Sequence, residues 1–539
     1  MRGTGTPRPL RPATGGPVPD TSTWKVRQMY PGVHAASDPD KLAATLADTG
    51  ETLTYGQLEE RSVRLSRALH DAGLRKGDVV ALLSENSLRA FEVYWAAIRS
   101  GLYVTAVNHH LAPDEVGYIV ADSYASALVV SSEKAEIATA LLPELGHLKS
   151  LLAFGGDVEG FAPYEDALAA ASPEPLDEQP HGAPMLYSSG TTGLPKGVKP
   201  PLPPVSLGEL GDPVTGLAKQ HFGVGPDTVY LSPAPVYHAA PLRWCGAVQA
   251  LGGHVVMMRK FHAERSLAAI SEFGVTHGQF VPTMFVRMLQ LPDEVRAAHD
   301  TSSLRLALHA AAPCPVEVKQ KMIDWWGPIL VEYYAGTEGN GMTVIDSAAW
   351  AEKQGSVGRA VLGTPRVCDD DGDELPAGEI GNVYFERDHV PFEYHNDPEK
   401  TKKSQHPAHP NWTTLGDIGY LDGDGFLFLT DRKSFTIISG GVNIYPQEIE
   451  NVLVLHPAIR DVAVVGLPDP EMGESVTAFV EPRDGIDTNP ELGEEIIEFV
   501  KARIASFKAP RSVRFVDTLP RTETGKLVKG DLKRKYANA

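Results

Sequence analysis

Between residues 54 and 130, amphipathic helical stretches alternate with short apolar runs, and this alternation restricts the fold more than any other feature of the chain. Thr54 and Gln57 form a candidate capping box, Leu58, Leu65 and Leu69 follow at helical spacing, and Gly73 supplies a stop. Residues 79–83 read as a strand, 87–100 as a second helix ended by Gly101, and 102–106 as another strand. Residues 114–121 and 127–130 repeat the rhythm. With right-handed crossovers, such a series gives a largely parallel sheet covered by helices.

A chain of 539 residues exceeds one compact core, since domains average roughly 150 residues. Residues 200–215 hold several prolines and glycines without periodicity and read as an irregular connection. Residues 421–441 combine turn signals, a charged knot and short β-rich runs, which marks a junction. Beyond it, helices at 446–455 and 490–506 and strands at 462–465 and 476–480 make a small α/β module with a basic tail expected to form a solvated face. The expected division is a loose tail over 1–23, a large domain over 24–430 and a small one over 431–539. There is no internal repeat.

Composition removes several classes of function. Lys and Arg number 49 against 69 Asp and Glu, a formal charge of -20 that disfavours nucleic acid and anionic lipid. Hydrophobic residues at 42% and charged residues at 22% match ordinary globular usage. The cysteines Cys245, Cys314 and Cys368 form no CxxC pair and read as reduced thiols of a cytoplasmic protein. No window reaches the roughly 18 to 20 apolar residues that span a bilayer, and no signal-peptide core precedes Thr23, so integral membrane association is not expected.

The most informative segment is Tyr187-Ser188-Ser189-Gly190-Thr191-Thr192-Gly193-Leu194-Pro195-Lys196-Gly197. Glycines let backbone N–H groups turn toward an anion, the hydroxyls donate further hydrogen bonds, and the lysine adds a mobile positive charge, so the segment suits phosphate. It is not a Walker A loop, which needs GxxxxGK followed by Ser or Thr. The segment resembles the glycine-rich loop of the adenylate-forming superfamily, which comprises acyl-CoA ligases, the adenylation domains of peptide synthetases and firefly-type luciferases. Within it, the chain looks most like actinobacterial fatty-acyl-CoA ligases. The resemblance implies an α/β fold: a large multi-sheet N-terminal adenylation domain and a small, mobile α/β C-terminal domain. It also implies that Ser188, Ser189, Gly190, Thr191, Thr192, Gly193 and Lys196 hold the β- and γ-phosphates of ATP.

Further segments resemble the family's motifs in its order. In Tyr333-Tyr334-Ala335-Gly336-Thr337-Glu338-Gly339, the resemblance gives Tyr334 to adenine, Thr337 to the α-phosphate and Glu338 to Mg²⁺, a hard cation that takes carboxylate and phosphate oxygens. Asp417 in Leu415-Gly416-Asp417 would accept from the ribose hydroxyls, with Arg432 a second ribose ligand and Asp431 the hinge. Ala310-Ala311-Ala312-Pro313 resembles the small-residue stretch beside adenine and acyl group. His238 and Phe280, with Ala311, are expected in the acyl pocket; His238, Arg243, Trp244, Gln279 and His309 point to a functionalised acid, and hydrogen-bonded core positions explain either histidine at least as well. Ser439, Gly440 and Gly441 would line a CoA tunnel, and Lys526 in Pro520-Arg521-Thr522-Glu523-Thr524-Gly525-Lys526 would be the catalytic lysine.

The implied activity is an ATP- and Mg²⁺-dependent ligase that makes an acyl-adenylate from an acyl or aryl acid, releases pyrophosphate, and passes the acyl group to CoA with release of AMP. The same first-step residues serve enzymes with other second substrates: a carrier-protein thiol, an amine, or nitrite activated to diazotise an aromatic amine. A nucleotide-binding protein that has lost catalysis is disfavoured by the joint presence of Lys526, Glu338, Asp417 and Arg432.

Overall fold

The computed structural model describes residues 29–188, 195–439, 442–521 and 527–536, with Ser188 described through its backbone alone. The capping box forms. The Gln57 N–H donates to Thr54 Oγ1 at 3.2 Å, the Thr54 N–H donates to Gln57 Oε1 at 3.0 Å, and the helix Tyr55–Asp71 buries Leu58, Leu65 and Leu69. The strands Val79–Leu83, Tyr103–Val107, Ala125–Ser131 and Ser150–Phe154, with the short Ala162–Pro163 and Ala183–Pro184, pair in parallel throughout. Val80 and Leu82 enter one core and Ala81 and Leu83 another, because successive side chains leave opposite faces of a strand. A sheet buried on both faces needs the near-continuous apolar runs seen in the sequence.

A second sheet orders thirteen strands among the described residues. Pairing is parallel from Leu42–Leu46 through His254–Met257, Val229–Ser232, His277–Phe280 and Leu306–His309 to Leu330–Ala335, and antiparallel beyond that strand. One apolar core joins the two sheets, with Leu58, Phe91 and Trp244 supplied by the helices Tyr55–Asp71, Arg89–Ile98 and Ala239–Ala250. Glu92 lies buried in that region. Its carboxylate accepts from Tyr164 Oη at 2.9 Å and pairs with Arg61 Nε at 2.8 Å and Arg89 Nη1 at 3.0 Å. Burial pushes the Glu92 carboxyl up, against the pull of both arginines.

The strand Leu427–Arg432 pairs with Trp412–Leu421 and Ser356–Leu362 in the large sheet. The strand Ile437–Ser439 then opens a separate five-stranded sheet with Val442–Ile444, Gly473–Pro482, Ile459–Asp469 and Ser512–Phe515. The helices Pro446–Leu453 and Pro490–Lys501 pack Ile449, Leu453, Ile496 and Val500 onto it. The basic tail departs from a solvated face at Lys529, which is 5% exposed and pairs with Glu450 at 2.8 Å. The cause is packing: Leu532 of the helix Lys529–Tyr536 joins Ala463 and Phe479 in a small core, which draws the first turn inward. Among the described residues no helix is long and apolar enough to cross a membrane.

Several histidines are kept neutral, chiefly by burial. His254 and His277 are lowered to about 4 and His109 to about 3, while His309 lies well below the ordinary 6.5. Below pH 6.5 the unfolded chain binds protons at these sites that the folded chain does not, so stability falls as pH drops toward 4. His254, His277 and His109 each remove about 2 kcal/mol by pH 5, and His309 acts in the same direction. The expected result is an apparent Tm several degrees lower at pH 5 than at pH 7.5 by scanning calorimetry; an unchanged Tm would contradict it.

Candidate active site

Parallel strands of the large sheet deliver their following loops to one edge, where open α/β sheets bind ligands. His277–Phe280 leads to Val281, Leu306–His309 to Ala310 and Ala311, and Leu330–Ala335 to Gly336, Thr337 and Glu338. These loops line one cavity of about 1260 Å³, which also receives residues of the small sheet's module. Thr337, Glu338, Tyr334, Asp417, Asp431 and Arg432 line it at one end; His238, Phe280 and Ala311 also face it.

At the first end the charges are held by one another. Tyr334 Oη donates to Asp417 Oδ2 at 2.5 Å, and Arg432 Nε donates to Asp417 Oδ1 at 3.1 Å across the paired strands that carry them. Burial, and then the Asp417 charge, push the Tyr334 phenol far above its usual value, so it stays a donor. Burial opposes the Arg432 charge, but Asp417, Tyr334 and Glu338 more than offset it and raise the guanidinium. Gly416, next to Asp417 within the strand Trp412–Leu421, has φ 79°, a conformation that suits glycine. Tyr394 Oη donates to Glu338 Oε1 at 2.8 Å, leaving Oε2 beside Gly336. A β-carbon on Gly336 would meet Leu415 at 2.6 Å and Glu338 Oε2 at 2.9 Å, so only glycine passes between them.

Asp431 joins the two parts of the chain. Its Oδ1 accepts from the Arg432 N–H at 2.6 Å and its Oδ2 from the Gln447 N–H at 3.1 Å, in the first turn of Pro446–Leu453. A carboxylate there satisfies a helix N–H that has no partner within the helix and favours the positive end of the helix dipole.

Other predicted residues are less assembled. Lys196 does not line the cavity; its Nζ sits 2.6 Å from Asp397 Oδ2, a pairing that raises the lysine and lowers the carboxyl. Ser188 closes the strand Leu186–Ser188, while Ser189, Gly190, Thr191, Thr192 and Gly193 lie outside the described residues. Ser439 is buried in the small sheet and does not face the cavity, and Gly440 and Gly441 lie outside the described residues. Lys526 also lies outside them, yet its flanks Arg521 and Leu527 pair as a bridge and both line the cavity. His309 stands off the cavity, 3.8 Å from Glu332, whose carboxylate pairs with the buried Lys319 at 2.7 Å.

Sequence reasoning missed Tyr394, Tyr333 and Asp212. Tyr394 is 56 positions from Glu338 and reaches it through the three-stranded sheet it shares with Lys196–Lys199, so no local spacing announces it. At the second end of the cavity, Asp212 holds Arg243 through two bonds, Nε to Oδ2 at 3.0 Å and Nη2 to Oδ1 at 2.6 Å. Burial would raise Asp212, but Arg243 and the Val214 N–H hold it below the usual carboxylate range.

A profile described as AMP-binding enzyme matches residues 33–395, and one described as AMP-binding enzyme C-terminal domain matches residues 448–526. The chain therefore belongs to the AMP-binding enzymes, the adenylate-forming acyl-CoA ligase family. Feruloyl-CoA synthase from an Amycolatopsis species is 34% identical over 523 residues, covering 95% of this chain and 98% of that protein. Long-chain-fatty-acid–CoA ligase FadD13 of Mycobacterium tuberculosis is 32% identical over 518 residues, covering 95% and 98%. Among solved structures, ATP-bound MatB from Rhodopseudomonas palustris has a TM-score of 0.78 at 28% identity, covering 95% of this chain and 99% of its own.

Ala311 has φ 75°, where a β-carbon crowds the backbone. Ala311→Gly removes that strain while loosening the unfolded chain, for a net gain of up to about 1 kcal/mol, whereas Ala311→Val should destabilise by more than about 1 kcal/mol. Denaturant unfolding of the three proteins checks the order Gly, Ala, Val.

Proposed function

We propose that the protein activates a small organic acid with ATP and Mg²⁺ and transfers the acyl group to the thiol of CoA. The observation that carries this reading is the meeting of Glu338, Thr337, Tyr334, Asp417 and Arg432 around one cavity that His238, Phe280 and Ala311 also line. The carboxylate oxygen of the acid attacks the α-phosphorus of ATP, the bond to the β-phosphate oxygen breaks, and pyrophosphate leaves. The thiol sulfur then attacks the carbonyl carbon of the acyl-adenylate, AMP leaves, and the thiol proton passes to solvent.

Asp417 accepts from the ribose hydroxyls with Arg432 beside it, and Tyr334 stacks on adenine. Thr337 and the Ser188–Gly193 segment donate to phosphate, and His238, Phe280 and Ala311 border the acid. Glu338 is suited to Mg²⁺: one oxygen is steadied by Tyr394 and the other stands next to a glycine. Among the described residues no cluster of three or more His, Cys, Asp or Glu stands ready to hold a metal, which fits a cation held by one carboxylate, phosphates and water. When bound, Mg²⁺ offsets charge on the departing pyrophosphate.

Lys526 orients the acid and meets charge developing at the α-phosphate. Its flanks at the cavity rim support that role. The module over 431–539 turns about Asp431 between the half-reactions, exchanging Lys526 for the Ser439–Gly441 loop and its path for CoA. CoA as second substrate is supported by the names of the feruloyl-CoA and long-chain-fatty-acid–CoA relatives.

Pyrophosphate release across fatty and aryl acids, followed by mass spectrometry with CoA, should give acid-dependent release and an acyl-CoA. Nitrite-dependent release with an aromatic amine and a diazonium product would overturn the assigned substrates. Lys526→Ala should slow release by roughly 100-fold or more, and near-normal release would remove the lysine from the first step. Asp431→Pro should depress thioester formation more than adenylation; equal loss in single-turnover measurements of each step would count against the hinge.

A further inference from the structure

The end of the cavity away from Glu338 has an unusual balance of donors and acceptors. Tyr333 Oη accepts from Trp244 Nε1 at 3.2 Å and from Gln279 Nε2 in a close contact, while Gln279 Oε1 accepts from Tyr230 Oη at 3.2 Å. A phenol oxygen has two lone pairs, and both are engaged. With the Gln279 amide in this orientation, the Tyr333 O–H has no acceptor among the described residues. Asp212 is nearly saturated, since Oδ1 accepts from the Val214 N–H at 2.9 Å as well as from Arg243 Nη2, and Oδ2 accepts from Arg243 Nε. Arg243 has donors left over, because its Nη1 makes no hydrogen bond to a described residue. The Arg243 side chain is 21% accessible, and that surface opens into the cavity, which Tyr333, Gln279 and Trp244 also line.

From this balance we infer that the floor around Arg243 and Tyr333 is a binding subsite for a neutral oxygen acceptor, a hydroxyl or carbonyl, at the far end of the acid. This rests on the cavity being the acid site. Two unused donors demand an acceptor, and an alkyl terminus would leave both buried without partners, which costs more than its methylenes recover. The sign of charge follows from the pair: Arg243 and Asp212 cancel, so a second carboxylate would be buried without a net counter-charge. Trp244 and Tyr333 close the floor with aromatic rings 6.0 Å apart between centroids, Trp244 being backed by the buried Tyr230, which favours a short or aryl acid. The substrate class is therefore a short oxygenated acid, with Arg243 and Tyr333 as its specificity-determining contacts.

The test is pyrophosphate-release kinetics with matched acids: hydroxyaryl against methylaryl, oxo-acyl against alkyl, and the corresponding dicarboxylates. The oxygenated member of each pair should have a kcat/KM at least tenfold higher. Tyr333→Phe should raise KM for the oxygenated acid about tenfold, leaving KM for ATP and for the methyl acid within twofold. Because Arg243→Met alone strands Asp212, the double variant Arg243→Met/Asp212→Asn is compared instead, and it should abolish the preference at unchanged Tm. Equal use of oxygenated and methyl acids, preference for dicarboxylates, or equal KM changes for both acids in Tyr333→Phe would overturn the subsite while leaving the ligase reading intact. Absence of acid-dependent release with every acid, with ATP binding retained, would overturn the ligase reading and the subsite with it.

Discussion

Parallel strand pairing is the constraint on which the site depends. When neighbouring strands run the same way, each chain segment leaves the sheet at the same edge, however far apart the segments lie in sequence. Phe280, His309 and Ala335 end successive strands of one such series, so the residues that follow them meet without any local motif requiring it. The price of this arrangement is a doubly buried sheet, met by the fully buried strands His277–Phe280 and Leu306–His309, whose side chains enter a separate apolar core on each face.

Inside the cavity, charge is paired locally. Asp417 is shared by Tyr334 and Arg432, Glu338 is steadied by Tyr394, and Arg243 is cancelled by Asp212. Such groups tolerate burial because each has a partner, and the partners set which capacity remains for a ligand. At Asp417 neighbours use two of about four acceptor sites and the rest remain for donors, whereas at Tyr333 and Arg243 the surplus is donor. The two ends of the cavity thus differ in hydrogen-bonding polarity as well as in position.

The fold is legible where local rules act alone. Thr54 and Gln57 announce a helix because both halves of a capping box lie within four residues, and Val79–Leu83 announces a buried strand because burial on two faces demands unbroken apolar residues. Motif spacing likewise leads to Tyr334, Thr337, Glu338, Asp417 and Arg432, which the fold gathers at one cavity. What escapes is long-range. Lys529 reads as a tail charge, but Leu532 anchors its helix and turns it toward Glu450. Lys196 reads as a phosphate ligand, and its pairing with Asp397 spans 201 positions. Tyr333 reads as a neighbour of the motif; its weight comes from Trp244 and Gln279, each delivered by a different element.

The Asp431 carboxylate meets the first turn of Pro446–Leu453 through a single N–H at 3.1 Å. A capping interaction of this kind is worth about 1 kcal/mol, which corresponds to roughly a fivefold bias between its made and broken states. That contact by itself sets only a statistical bias, which a ligand whose affinities for two arrangements differ by more than that factor would override. On the proposed rotation about Asp431, this joint would work as a balance that small differences in what occupies the cavity could tip, with no large store of strain to release.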